Sequence, residues 1–336
     1  MSRQQFSRTH LRSAALIALL IYTAGCISPP QKTATLAFLG DVMIGRDVYA
    51  MHQDGDWETA LAAIAPTLQG VDLALANLES PVCLADSCAA ALTDAVNTGQ
   101  APDSINLCAL PDGVNMLGAS GIDMLSLENN HSTDCKKFDA ASSEGSSDFW
   151  EENNLELIQL ETQPVVKEIN GIRFAFLAFN DVGAELDITA AQDAIAAADT
   201  GKNIIVVSVH WGAEYQASPT PRQRKIATAF SEAGADIIWG HHPHVLQAVE
   251  WIERADNTKT LVMYSLGNAL FDQVVPDDTR QSAVLTVTVN RGGAVMLQPE
   301  PFVIDPFEGI VHLADPGAAE SVLQDLHLQN DNAIKK

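Results

Sequence analysis

Apolar runs of strand length alternate along this chain with stretches of helical period, and many of the apolar runs stop at polar residues. "TLAFLGDVM", from Thr35, reads as a buried strand halted at Gly40-Asp41. "DWETALAAIAPTLQG" predicts a helix over 56–70, with Asp56 as N-cap and Gly70 past its end. "VDLALANLES" is the next strand; 80–110 has little periodicity and holds three cysteines, so it reads as a stapled insertion. A helix is predicted near 111–120, leading to "IDMLSLENNH". The second half repeats this grammar. "NLELIQL" is a strand, "PVVKEINGIRFAFLAF" a hairpin turned at Asn170-Gly171, and "TAAQDAIAAADTG" a helix leading into "NIIVVSVHWGAEY". Thr220-Pro221 caps a helix through "RQRKIATAFSEAG" that closes at Gly234 and delivers the chain to "ADIIWGHHPH". "VLQAVEWIE", "TLVMYSLGN" and 282–304 then read as strands, and the acidic end over 306–336 is expected to be peripheral.

Alternating strands and helices followed by a strand-rich half indicate an α/β layered domain with mixed sheets over 35–305. Strands in this domain end at Asp41, at Asn77-Leu-Glu79, at Asn130-His131, at His210 and at His241-His242-Pro-His244. Ligands in α/β sheets gather beyond the carboxyl ends of strands, so these separate segments are predicted to converge on one site. An Asp, a Glu, an Asn and several His offer hard oxygen and borderline nitrogen donors. That set suits Zn²⁺, Mn²⁺ or Fe²⁺, as one ion or as a pair bridged by a carboxylate. Pro243 stiffens the turn between His242 and His244, and Gly40 and Gly240 leave room for close backbone approach. Taken singly, each residue has a plainer reading: Asp41 as a turn residue, Asn130-His131 as a helix cap, His210 as a satisfied core histidine. The ordered set outweighs those readings.

Charge narrows the partners. The 336 residues carry 43 acids against 19 basic residues, a net −24, which repels nucleic acid and anionic lipid headgroups and keeps a polyanion away except near metal and a few cations such as Arg46, Arg222 and Arg224. A composition of 47% hydrophobic residues is that of a globular chain. Residues 1–26 hold three arginines, no acid, and the apolar run "AALIALLIYTAG" ending at Cys26, the pattern of an export leader. "TAGC" resembles a lipobox, which would make Cys26 a lipidated first residue, 27–34 ("ISPPQKTA") a tether, and the net charge after cleavage −27. Cys83, Cys88, Cys108 and Cys135 remain as an even set; Cys83 with Cys88 and Cys108 with Cys135 is the preferred of the three pairings.

The series "LGDVM", "ALANLESP", "ENNHSTD", "VSVHWGAEY", "GHHPHVLQ" and "YSLGNALFD", in this order over 35–290, resembles the CapA family of bacterial capsule-synthesis proteins. Those proteins are typified by ones needed for poly-γ-glutamate and have a domain similar to calcineurin-like metallophosphatases. The resemblance implies a four-layer αββα sandwich of mixed β-sheets with a metal site at one edge. By position it makes Asp41, Glu79, Asn130, His210, His242 and His244 metal ligands, with Glu79 bridging, and His131 a catalytic acid. Asn77, His241, Glu214 and Asn268 fall around them as outer-shell or substrate-binding residues, with His241 at a variable position. The chain departs from the hydrolases' Asp-x-His at Met43, a thioether ill suited to hard cations. Two functions therefore stay open: a metal-dependent phosphoesterase-like or amide hydrolase using metal-activated water, and a non-catalytic polymer-binding scaffold. Either is expected at the cell envelope, tethered to the membrane by lipid, with capsule polymer or its synthesis machinery as partner.

Overall fold

A computed structural model describes residues 32–84, 90, 92, 106–138, 147–159, 163–328 and 334–335. The leader, Cys26, most of the expected tether and Cys88 lie outside the described residues. The strands are β1 (Ala34–Val42), β2 (Leu73–Leu78), β3 (Met124–Ser126), β4 (Glu156–Ile158), β5 (Val165–Ile169), β6 (Ile172–Asn180), β7 (Asn203–His210), β8 (Ile237–His241), β9 (Leu246–Glu253), β10 (Lys259–Leu266), β11 (Asn268–Leu270), β12 (Gln281–Asn290), β13 (Gly293–Asp305), β14 (Ile310–Leu313) and β15 (Ile334–Lys335). They form a nine-stranded sheet ordered β14-β13-β12-β1-β2-β3-β4, with β11 on β1 and β15 on β13, and a six-stranded sheet ordered β5-β6-β7-β8-β10-β9.

The period-two side-chain pattern of the strands explains the layers. In β1, Leu36 and Phe38 point between the sheets while Ala37 and Leu39 face the other way. In β6, Phe174, Phe176 and Ala178 enter the same inter-sheet core, and Ala175, Leu177 and Phe179 face outward. Both sheets are thus apolar on both faces, and each needs a helical cover. The outer face of the first packs under α1 (Arg46–His52), α2 (Ala65–Gln69), α3 (Val114–Ala119) and α4 (Ser147–Glu152), through residues such as Val48, Leu68, Leu117 and Trp150. The second packs under α5 (Ile188–Ala198) and α6 (Pro221–Glu232), through Ile195, Ile226 and Phe230. This is the expected αββα order of layers.

Local chemistry accounts for the element ends. Asn170 and Gly171, at φ 54° and 74°, turn the β5–β6 hairpin, with Ile169 opposite Ile172. Thr220 and Gln223 close a capping box at the start of α6. The helix expected over 56–70 is broken into a 3₁₀ turn at Trp57–Thr59 and the short α2. Pro66 lacks the amide a continuous helix would need there. Asp56 makes no cap bond and instead lies 2.9 Å from His52 Nδ1.

The end of the chain also departs from expectation. The segment beyond 305 supplies β14 on the edge of the first sheet, then α7 (Pro316–Asp325) capped by Asp315. Val322, Leu323, Leu326 and Leu328 plug the inter-sheet core. Its acidic residues hid a helix with a buried apolar face.

The strand pairings bring the polar strand ends together. β1 pairs antiparallel with β12 through Phe38, then shifts register and runs parallel to β11, with Asp41 opposite Asn268. Gly40 permits the switch: a Cβ there would lie 1.9 Å from the Gly267 carbonyl oxygen. At Gly240 a Cβ would meet Trp211 and the Tyr264 carbonyl at 2.3 Å. Across the sandwich, Trp239 Nε1 donates to the Leu39 carbonyl at 2.8 Å, locking the two sheets beside the site.

Candidate metal centre

Five acid and imidazole side chains from different strand ends meet in the interior. Glu79, His210 and His242 form one group whose ligand atoms all lie within 4.8 Å of one another; Asp41, Glu79 and His244 form a second, sharing Glu79. Glu214, expected only in the surroundings, joins His242 and His244 in a third group from an exposed position. His210 Nε2 is 3.4 Å from Glu79 Oε1, and His244 Nδ1 is 3.3 Å from Asp41 Oδ2 and 3.8 Å from Glu79 Oε2.

Backbone geometry presents these rings. His242 and His244 flank Pro243 at φ 93° and 57°, a region that non-glycine residues rarely occupy. Tyr215 and Arg46, at φ 60° and 45°, carry the same strain beside the site. Asp41 is fixed by Asn77 Nδ2, which donates to Oδ1 at 2.8 Å, and by the His242 amide, which donates to Oδ2 at 3.1 Å. His244 Nδ1 lies 2.9 Å from Asn268 Oδ1, whose amide nitrogen donates to Gln273 and to the Thr279 carbonyl. Asn77 and Asn268 thus orient the Asp and the His.

The polar atoms left over test whether a cation fits. Both oxygens of Glu79, both ring nitrogens of His210, His242 Nδ1 and Asn130 Oδ1 are buried and accept or donate no hydrogen bond among the described residues. A fold does not ordinarily bury that many polar atoms unpaired. One ligand atom each from Glu79, His210 and His242 lies within 4.8 Å of the others, and these oxygen and nitrogen donors suit a divalent ion. Asn130 was expected to ligate, and its free carbonyl is compatible with that. Its neighbour Asn129 is spent on the frame, donating to the Leu78 carbonyl at 2.9 Å and accepting from the His131 amide at 3.0 Å.

Electrostatics follow from burial and charge crowding. Burial raises the Glu79 carboxyl pKa, and the nearby His244 opposes that only in part. Burial would also raise Asp41, yet contacts with His241 and His244 hold it well below the usual carboxylate range. Burial lowers His210 well below normal and takes His242 down to about 4. It would lower His244 too, but Glu79 and Asp41 push that ring up to about 9. Without metal, His244 is therefore an imidazolium between two carboxylates, while His210 and His242 are neutral donors.

His241, expected around the ligands, is buried there, with Nδ1 3.3 Å from Asp41 Oδ1 and its ring edge-on to Trp239 at 4.2 Å. It follows Trp239 by two positions, so it shares Trp239's inward face. Both its nitrogens also lack a hydrogen-bond partner among the described residues. Arg46, Arg222 and Arg224 are not free to meet a polyanion, since they are ion-paired with Asp272, Asp181 and Glu250. Met43 is packing: its Sδ accepts from the Gly45 amide within the helix-side core.

His131, the expected acid, has Nδ1 2.9 Å from Asp134 Oδ2. Sequence reading missed Asp134, although the i, i+3 spacing in "HSTD" carried the signal. Asp134 Oδ2 also accepts from the Leu107 amide at 2.7 Å, and the next residue, Cys135, is disulfide-bonded to Cys108. The bridge thus ties 106–108 to the turn that orients His131. Cys108–Cys135 is the pairing preferred from sequence; Cys83 is also disulfide-bonded, and Cys88 lies outside the described residues.

A four-layer αββα sandwich with carboxylates and imidazoles at the carboxyl ends of its strands defines a metallophosphatase-like α/β protein. Within that class the chain belongs to the bacterial capsule synthesis protein family PGA_cap, whose model matches residues 35–273. It is 30% identical over 322 residues to "Capsule biosynthesis protein CapA" of Bacillus anthracis, covering 86% of this chain and 74% of that one. It is 29% identical over 288 residues to "PGA biosynthesis protein CapA" of Bacillus subtilis (strain 168), covering 80% and 71%. Among solved structures, a hypothetical protein from Thermus thermophilus is 14% identical with a TM-score of 0.49, over 80% of this chain and 99% of that one, and adds nothing to the fold described above.

Proposed function

We propose that this chain is an envelope protein of capsule or poly-γ-glutamate synthesis, tethered by lipid at Cys26, that hydrolyses a phosphoester or amide bond with divalent metal. The observation that carries the reading is the buried convergence of Glu79, His210 and His242 with Asp41 and His244, its polar atoms left without partners. Asp41 and His244, with His241 beside them, would hold one cation; His210, His242 and Asn130 would hold another; Glu79 would be shared. When bound, such ions polarise the scissile group's oxygen and acidify water. The chain's own contribution is placement. Asn77 and Asn268 fix the carboxylate and ring they touch. Asp134 accepts from His131 Nδ1, fixes the ring, and leaves Nε2 to hand a proton to a leaving group. Glu214, exposed beside His242 and His244, can serve as a further ligand or contact substrate.

Burial of Met43 in the helix-side core favours a second reading, in which the metal position beside Asp41 is weak and the protein binds polymer without cleaving it. Elemental mass spectrometry after loading with Zn²⁺ or Mn²⁺ separates the readings when paired with size analysis of poly-γ-glutamate incubated with the protein. Bound metal that is lost in Glu79→Ala, together with shortening of the polymer, supports the hydrolase. Metal without shortening, and without turnover of a chromogenic phosphodiester, transfers the case to the scaffold. No metal above background removes the hydrolase.

A further inference from the structure

The pole opposite the metal centre carries a cluster of cations that make no ion pair among the described residues. β1 enters at Ala34 and reaches the site at Asp41, so the two poles lie at opposite ends of that strand, about 25 Å apart. At the entry pole sit Lys32, the β5–β6 turn at Asn170-Gly171, Arg173 at the start of β6, Lys202 just before β7, and Arg291 in the β12–β13 turn. Arg173, Lys202 and Arg291 line one recess of about 470 Å³ together with Gly171, Asn203 and Glu168. Arg291 Nη2 donates to the Gly171 carbonyl at 3.4 Å, and a Cβ on Gly171 would lie 2.6 Å from Lys32 Nζ, which puts the ammonium on the same turn.

Many other cations of this acidic chain are neutralised: Arg46, Lys167, Arg222, Arg254 and Arg280 each reach a carboxylate. Among the described residues Lys32, Arg173, Lys202 and Arg291 reach none, although all are exposed. Glu168 stands opposite Arg173 in the hairpin register and is the acid within the recess. Asp72 and Asp199, close by, are occupied by the amides of Thr35 and Gly201. Beyond the hairpin the surface turns acidic at Asp123, Glu151 and Glu156, which bounds the patch.

We propose that this pole docks on the anionic phospholipid headgroups of the membrane that holds the tether. The inference rests on the tether reading for its geometry. Residue 32 lies in the patch, and the five residues 27–31 separate it from Cys26, a span of at most about 18 Å. A tether that short keeps the patch within reach of headgroups. Each cation brought to an anionic surface strengthens binding about fivefold, which opposes locally the repulsion expected from the net −27 left after cleavage. Docked in this way, the protein turns the metal centre away from the membrane, toward polymer.

The test uses the full chain on vesicles of phosphatidylglycerol with phosphatidylcholine, or of phosphatidylcholine alone. Lysines are acetylated by a water-soluble reagent and read by mass spectrometry. Lys32 and Lys202 are expected to react at least fivefold more slowly on the anionic vesicles, with Lys136 and Lys225 unchanged as exposed references. The protection is expected to vanish at 0.5 M salt, in Arg173→Gln/Arg291→Gln and in Arg173→Glu/Arg291→Glu. Equal rates at Lys32, Lys202 and Lys225 on anionic vesicles overturn the docking surface, as do protection that persists on phosphatidylcholine and failure of the chain to float with anionic vesicles. An N-terminal peptide mass without lipid on Cys26 removes the tether and leaves the lysine measurement to decide the surface by itself.

Discussion

Replacing Glu79 by Gln separates a metal centre from a merely polar cluster, because the two predict opposite dependence on metal. Both Glu79 oxygens are buried without a hydrogen bond, and an ionised carboxylate so placed carries a penalty of several kcal/mol. The His244 imidazolium, 3.8 Å away, offsets this by roughly 4 kcal/mol at an effective dielectric of about 20. The two terms nearly cancel, so Glu79→Gln, similar in volume, is expected to change metal-free stability by no more than about 1 kcal/mol, or about 2–4 °C in melting temperature. Metal reverses the balance. At about a hundredfold above its dissociation constant, one bound cation adds about 2.7 kcal/mol to wild type, and the variant gains little of this. Calorimetric melting in chelator, then in Zn²⁺ or Mn²⁺, reads both arms. The reasoning is refuted if wild type gains nothing from metal, if the variant gains as much, or if the variant in chelator loses more than about 3 kcal/mol, the cost of breaking a structural buried ion pair.

Other expectations follow from the same geometry. His241→Leu is expected to weaken the cation beside Asp41 at least tenfold, measured by chelator competition; unchanged affinity would make His241 a packing partner of Trp239 only. His244, raised from 6.5 to about 9 in the fold, lends the metal-free protein stability that is full below about pH 6.5 and lost as pH rises through 9, as urea midpoints across that range would show. Because the same imidazolium must deprotonate to ligate, cation uptake at pH 7.5 is expected to release about one proton, read by calorimetry in buffers of different ionisation enthalpy. Replacing Cys108 and Cys135 together by Ser opens a loop of sequence separation 27 and is expected to cost about 3.5 kcal/mol in urea unfolding. The same change should lower any turnover, through the loosened Asp134–His131 pair.

Periodicity and end-residue chemistry by themselves determined the elements, the α/β class and the strand ends at which chemistry collects. They did so because two-residue alternation and turn residues are local properties of the chain. The hairpin at Asn170-Gly171 and the cap at Thr220 were legible for this reason, and so were the strand-end Asp41, His210, His242 and His244. The helix over 56–70 failed because Pro66, a single residue, outweighs an otherwise helical period. The segment beyond 305 misled for another reason: charge in 306–328 hid an apolar face whose value exists only against the inter-sheet core.

Which strand end meets which was decided by tertiary structure. The β1 register switch at Gly40 and the pairing of β7 with β8 set Asp41, Glu79 and the histidines within ligand distance, and no local pattern encodes either. His241 illustrates the difference. Its neighbours in sequence mark it as one of three similar histidines, but the face it shares with Trp239 and the carboxylate of Asp41, 200 residues earlier, make it part of the cluster. Asp134 and the freedom of the four entry-pole cations were likewise invisible, since ion pairing is a relation between residues distant in the chain. Composition counted those cations; only the fold showed which of them had acids to answer them.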